Sequence, residues 1–123
     1  MTPRIRLAAA AFAALLAAPA RAAPDAQAQR EIDHLLAFVA SSACRFVRGG
    51  VEHDAREARD HLARKLDVAR PLIGSADAFV DHVASGSSLT GEPYRVRCGD
   101  RESTAKAWLA GELARYRRAT GSQ

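Results

Sequence analysis

The chain has 123 residues with 18 basic and 14 acidic side chains, a formal charge of +4 and a pI near 9.7. Three of the bases, Arg4, Arg6 and Arg21, fall in the first 22 residues, where there is no acid, so the remainder stands at 15 against 14. That near-neutral balance, with arginines interleaved among acids, excludes nucleic-acid binding argued from charge, which requires a clustered basic face.

Met1 to Arg6 carries two arginines, Leu7 to Ala18 is an unbroken apolar run, Pro19 breaks it, and Ala20-Arg21-Ala22 has the small-x-small pattern of a cleavage site. This is the layout of a secretory signal peptide. The apolar run is shorter than the roughly 20 residues a membrane-spanning helix needs, and no cysteine follows it to accept a lipid anchor. The expectation is cleavage after Ala22, removal of residues 1–22, and a single small domain over 23–123 in the periplasm. Its 101 residues fit one domain, small enough to benefit from a covalent staple.

A polar lead-in from Pro24 to about Gln27 precedes apolar residues at Ile32, Leu35, Leu36 and Val39, the spacing of a helix ending near Ser41 or Ser42. Cys44 to Arg48 alternates and meets Gly49-Gly50, a short strand and turn. Asp54 with Glu57 three residues on has capping-box spacing. The helix it opens runs to about Arg70, with Ala55, Ala58, Leu62, Leu66 and Ala69 inward, and Pro71 ends it. Ser75 caps a third helix ending near Gly86. Gly86 to Pro93 is turn-rich, Tyr94, Val96 and Cys98 alternate with arginines as a second strand, and Ser103 or Thr104 caps a last helix. No internal repeat is visible.

An exported chain with two cysteines suggests a disulfide, and Cys44 and Cys98 allow one intramolecular pairing. The rival is a reactive redox pair, whose usual Cys-x-x-Cys spacing is absent. If the two pair and their strands run antiparallel, Phe46 comes opposite Val96 and Arg48 opposite Tyr94. The expected fold is therefore α+β and mainly helical, about four helices packed on a two-stranded antiparallel ribbon.

Chemistry concentrates in three places. Glu57, His61 and Lys65 stack at i, i+4 and i+8 on the second helix, with His53 extending the line. A Glu–His pair suits proton transfer, and His53, Glu57 and His61 together offer metal-ligating types. Capping and ordinary surface charge explain the same residues, and no recognised metal motif is present. The second place is the loop Ser87 to Tyr94. Its Thr90-Gly91-Glu92-Pro93-Tyr94 resembles the loop that secreted bacterial lysozyme inhibitors insert into their target; it is equally a turn launching a strand. No Gly-x-Ser-x-Gly elbow accompanies it. The third is the arginine set Arg45, Arg48, Arg95 and Arg97, suited to a carboxylate or phosphate if clustered and to edge protection if not.

Phe46-Val47-Arg48-Gly49-Gly50-Val51-Glu52-His53, then Glu57-Ala58, His61-Leu62, Lys65-Leu66, and onward through Phe79 and Val83-Ala84-Ser85 to Ser88, Thr90-Gly91, Pro93-Tyr94 and Val96, resemble the central segment of the YfeK-like family of small exported bacterial proteins. The resemblance spans roughly residues 30–98. It implies a periplasmic protein and brings no established activity, substrate or cofactor. It also implies a shared surface drawn from Glu52, His53, Glu57, His61, Lys65, Ser88, Gly91 and Tyr94.

The expected role is a non-catalytic periplasmic binding module, with His53, Glu57, His61, Lys65, Ser88, Thr90, Gly91 and Tyr94 as candidate contacts. No cofactor or metal is expected. The partner would be a periplasmic protein or a cell-envelope ligand. The alternatives are an inhibitor of a cell-wall hydrolase acting through Thr90 to Tyr94, and a small enzyme centred on His61.

Overall fold

The computed structural model describes residues 23–121, with 2–4 and 10–11; the signal peptide expected over 1–22 lies largely outside the described residues. Asp25 accepts a hydrogen bond from the Ala28 amide and starts α1 (Ala26–Ser41). The strands β1 (Arg45–Arg48) and β2 (Val51–His53) follow as a hairpin, and Asp54 caps α2 (Ala55–Ala69) through the Glu57 amide. A 3-10 turn, Arg70–Leu72, absorbs Pro71. Ser75 caps α3 (Ala76–Phe79), which continues as a π-helical turn, Val80–Ala84. A second hairpin, β3 (Arg95–Cys98) and β4 (Arg101–Thr104), leads directly into α4 (Ala105–Thr120), capped by Thr104.

The helices match the expected spacing, but the sheet is larger than the expected ribbon. It has four antiparallel strands in the order β2-β1-β3-β4. The two central strands are the ones the alternation reveals, and Phe46 stands opposite Val96 as the disulfide argument requires. The edge strands β2 and β4 are three and four residues long and mostly polar. Their stability comes from backbone pairing, which leaves no apolar period to read. Gly49 and Gly50 both adopt positive φ, as a type I′ hairpin turn requires, and Gly99 alone does so in the second hairpin, the pattern of type II′.

The structure also contains a repeat that the sequence hides. Helices α1 and α3 begin at 26 and 76, β1 and β3 at 45 and 95, β2 and β4 at 51 and 101, and α2 and α4 at 55 and 105, a constant offset of 50. The chain is thus two helix–hairpin–helix halves whose inner strands pair antiparallel, with an approximate two-fold relation between them. Arg45 and Arg95, Gly49 and Gly99, and Glu52 and Glu102 are the identities that hairpin positions retain, and Ala55 and Ala105 start the helices that follow.

One apolar core lies between the helices and one face of the sheet. Ile32, Leu35 and Val39 from α1, Leu66 from α2, Phe79 and Val83 from the third helix and Leu109 from α4 meet Phe46 and Val96 there. The other sheet face is charged. Glu52, Arg45, Arg97 and Glu102 form a charged band across all four strands, acids on the edge strands and arginines on the central ones, with Arg97 2.8 Å from Glu52 and Arg95 2.7 Å from Glu102. Acids from the two edge strands therefore pair three members of the arginine set, which is no free positive patch. Arg117 on α4 donates to buried Glu31 on α1 at 2.7 Å and to Asp77 on α3 at 2.7 Å, tying three helices together. That guanidinium holds the Asp77 carboxyl below its ordinary range.

Cys44 and Cys98 form a disulfide, with Cα atoms 4.4 Å apart and a sequence separation of 54. Closing a loop of that length should stabilise the fold by about 4 kcal/mol in the chain-entropy account. Replacing both cysteines by serine is expected to lower the unfolding free energy by roughly that amount, measured by urea denaturation. A loss well under 1 kcal/mol would show that the staple constrains little.

Candidate functional site

Side chains on a strand alternate between faces, so Phe46 directs Arg48 to its own side of the sheet. Arg48 accordingly leaves the outer arginine band and meets α2. Its Nη1 donates to His61 Nδ1 at 2.6 Å and lies 3.0 Å from Nε2. On the other side, His61 Nε2 is 3.1 Å from the Tyr94 hydroxyl, and the two rings meet edge to face. Lys65, one turn further along α2, donates to the same hydroxyl at 3.1 Å and to the Gly86 carbonyl at 2.8 Å, with its ammonium 5.0 Å from the Tyr94 ring centre.

Donor and acceptor bookkeeping assigns the tautomer. Arg48 can only donate, so Nδ1 accepts and the proton sits on Nε2, which donates to the Tyr94 oxygen. That oxygen also accepts from Lys65. The imidazole is neutral: its pKa is lowered to about 4, first by burial, then by the positive charges of Arg48, Lys65 and Arg64, with His53 contributing last.

This network forms one wall of a cleft of about 250 Å³ between α2, β1 and α4. Phe46, Leu62 and Trp108 supply apolar lining, and Trp108 packs at a tilt on Phe38 at 4.5 Å and edge-on against Phe46 at 5.5 Å. At the rim, His53 Nδ1 and Glu57 Oε2 pair at 3.0 Å, and Asp60 pairs with Arg59 at 3.1 Å. Arg64 also lines the rim and is exposed.

The expected ridge therefore divides. His61 and Lys65 join Tyr94, while His53 and Glu57 pair with each other on the rim. His61 faces Arg48 instead of that pair, so the three-residue metal set is not assembled; among the described residues no group of three metal-ligating side chains comes together. The loop residues divide too. Tyr94 is 9% exposed and turns inward, but Ser88, Thr90 and Gly91 are exposed, and Ser88 and Gly91 line a separate shallow hollow with His82 and Lys106. The Ser87 and Thr90 hydroxyls accept from amides of their own loop. Arg48 and Trp108 are the members of the cleft that sequence reasoning did not place there. Strand alternation from Phe46 identifies the first; nothing in the sequence identifies the second.

Gly86 holds this corner. A Cβ there would stand 2.6 Å from the Glu92 carbonyl oxygen, and the glycine's own carbonyl receives Lys65. Gly86→Ala is expected to cost about 1–3 kcal/mol, read as a shifted denaturation midpoint with disturbed Tyr94 resonances; an unchanged midpoint would show that the loop yields freely.

His61 gives a pH signature. Unfolding restores its ordinary value of 6.5, so between there and about 4 the unfolded chain takes up a proton that the folded chain refuses. Stability from this group is complete above that window and falls as pH drops through it. Wild type should lose stability more steeply between pH 7 and 4.5 than His61→Gln does; parallel curves would assign the slope to other groups.

Comparison with known proteins locates this architecture. A family model described as a family of unknown function, DUF5329, matches residues 26–117. The chain is 42% identical over 86 residues to an uncharacterised protein, YfeK, of Salmonella typhimurium, an alignment covering 69% of this chain and 72% of that one. No solved structure matches it.

Proposed function

The chain belongs to this DUF5329 family of unknown function, and from that premise we propose that it is an exported, non-catalytic binding module whose ligand seats in the cleft between α2, β1 and α4. Export rests on the signal-peptide pattern of residues 1–22, with cleavage after Ala22 leaving one domain over 23–123 in the periplasm. The disulfide accords with an oxidising compartment. No helix among the described residues is long and apolar enough to cross a membrane.

The observation that carries the binding reading is the state of His61. A general base needs a free lone pair near its substrate. Here Nδ1 is occupied by Arg48 and the Nε2 hydrogen by Tyr94. The ring is a fixed wall beside an apolar cavity, an arrangement that orients a ligand rather than moving its protons. An inhibitor loop built on Thr90 to Tyr94 draws less support, because Tyr94 is buried and the Thr90 hydroxyl is spent within the loop.

Two measurements test this reading. The intact mass of the exported protein should equal residues 23–123 with one disulfide. Incubation with periplasmic extract should raise the melting temperature, since a ligand that binds only the folded state stabilises it by mass action. His61→Ala and Tyr94→Ala are expected to remove that shift while keeping a native circular dichroism spectrum. Equal loss of fold and shift would make the network structural, and wild type showing no shift would remove the binding role.

A further inference from the structure

Charged groups are handled differently in the cleft than elsewhere in this molecule. Half-buried Arg117 is matched by Glu31 and Asp77, and half-buried Arg70 reaches Asp67 and Gln29. Arg48 and Lys65 are also half-buried, yet among the described residues their partners are all neutral: His61, the Tyr94 hydroxyl and the Gly86 carbonyl. Glu57 and Asp60, the acids at the rim, are engaged by His53 and Arg59. Arg48, which lines the cavity, and Lys65 behind it thus have no acid within ion-pair distance among the described residues. Partly buried charge is ordinarily compensated, because desolvating it otherwise costs several kcal/mol.

The hydrogen-bond inventory sharpens this. The His61 acceptor, Nδ1, is consumed by Arg48. The Tyr94 oxygen accepts twice, so its own hydrogen remains to be donated. Arg48 spends Nη1 on His61 and keeps its Nε and Nη2 hydrogens, the pair that grips a planar carboxylate. Every hydrogen-bonding group that Arg48, His61 and Tyr94 leave over is therefore a donor; His53 Nε2, buried at the rim without a partner among the described residues, stands outside this network. The apolar side of the same cavity, Phe46, Leu62 and Trp108, offers nothing to a heavily hydrated dianion and accepts a hydrocarbon or aromatic body.

We propose that the cleft binds a small organic monocarboxylate, its carboxylate held by Arg48 and the Tyr94 hydroxyl and its apolar body lying against Phe46 and Trp108. The assignment rests on the binding reading above and names the ligand class that fills the site. Lys65 does not line the cavity; it positions the Tyr94 hydroxyl and adds field. The anion would supply the missing counter-charge to Arg48, Lys65 and Arg64, and in doing so would relieve the repulsion that adds to burial in keeping His61 neutral. Its binding should raise the His61 pKa, which a purely apolar ligand would not do.

Trp108 is the chain's single tryptophan and lines the site, so its fluorescence reports occupancy. The disulfide-intact protein is titrated at low salt with hexanoate and 3-phenylpropionate, with their primary amides, and with inorganic phosphate. The carboxylates are expected to bind at least about tenfold more tightly than the amides, to weaken with added salt, and to move the His61 imidazole titration upward by NMR. Arg48→Gln should abolish the preference for acid over amide, and Arg48→Lys, which keeps charge without the fork, should retain part of it. Tyr94→Phe provides a second folded variant expected to weaken carboxylates selectively. Equal affinity for acid and amide overturns the carboxylate assignment while leaving a binding cleft. Phosphate matching the carboxylates overturns the monocarboxylate class. Binding of none of the probes overturns the assignment as well, whereas failure of the binding reading shows separately, as a wild-type protein that periplasmic extract does not stabilise.

Discussion

A slip of one residue between β1 and β3 would carry Phe46, Arg48 and Val96 to the charged side of the sheet and bring Arg45, Arg95 and Arg97 against the helices. The site depends on that slip not occurring. Both faces oppose it, since one would bury three guanidinium groups and the other would expose the aromatic floor of the cleft. The Cys44–Cys98 bridge fixes the same register covalently, one step beyond the Arg45–Arg97 pair. Only in this register does Arg48 reach His61 and face the cleft.

Around this frame, charge is distributed unevenly and consistently. On the outer sheet face Glu52 and Glu102 of the edge strands pair with Arg45, Arg95 and Arg97 of the central ones. The helix side buries Glu31 and Glu112 but gives each an arginine, and His34 adds a contact at 2.9 Å to Glu112, whose carboxyl is held below its ordinary range chiefly by Arg115 and also by His34. The cleft alone departs from that economy. A neutral imidazole lies between an arginine and a hydroxyl that also receives a lysine, a locally unfavourable arrangement which the surrounding packing of Phe46, Leu62 and Tyr94 sustains.

How much of this was legible follows from where each signal is stored. Helices with an apolar stripe and a side-chain cap are legible: Asp54, Ser75 and Thr104 each accept from the amide three residues on, and Asp25, inside the polar lead-in, does the same for α1. The central strands were legible because they alternate, and Cys44 with Cys98 even predicted their register. Val51 to His53 and Arg101 to Thr104 were not, because an edge strand can be polar throughout and still pair its backbone. Gly99-Asp100 was a readable hairpin signal that the cap at Thr104 overshadowed. His61 and Lys65 were found as a ridge, but their meeting with Tyr94, 33 and 29 residues away, is a property of packing that no local pattern encodes. Arg48 was grouped with the wrong arginines although the alternation that turned Phe46 inward applied to it equally. The repeat stayed hidden because few side chains are shared between its halves.

That repeat gives the disulfide a second meaning. Under the offset of 50, Cys44 corresponds to Tyr94 and Cys98 to Arg48. The staple and the Arg48–Tyr94 corner therefore occupy the same place in the two halves, at opposite ends of the central strand pair. One end is closed by a covalent bond and the other only by hydrogen bonds through His61. The counterpart of the covalent link in the other half is therefore the hydrogen-bonded corner that borders the cleft.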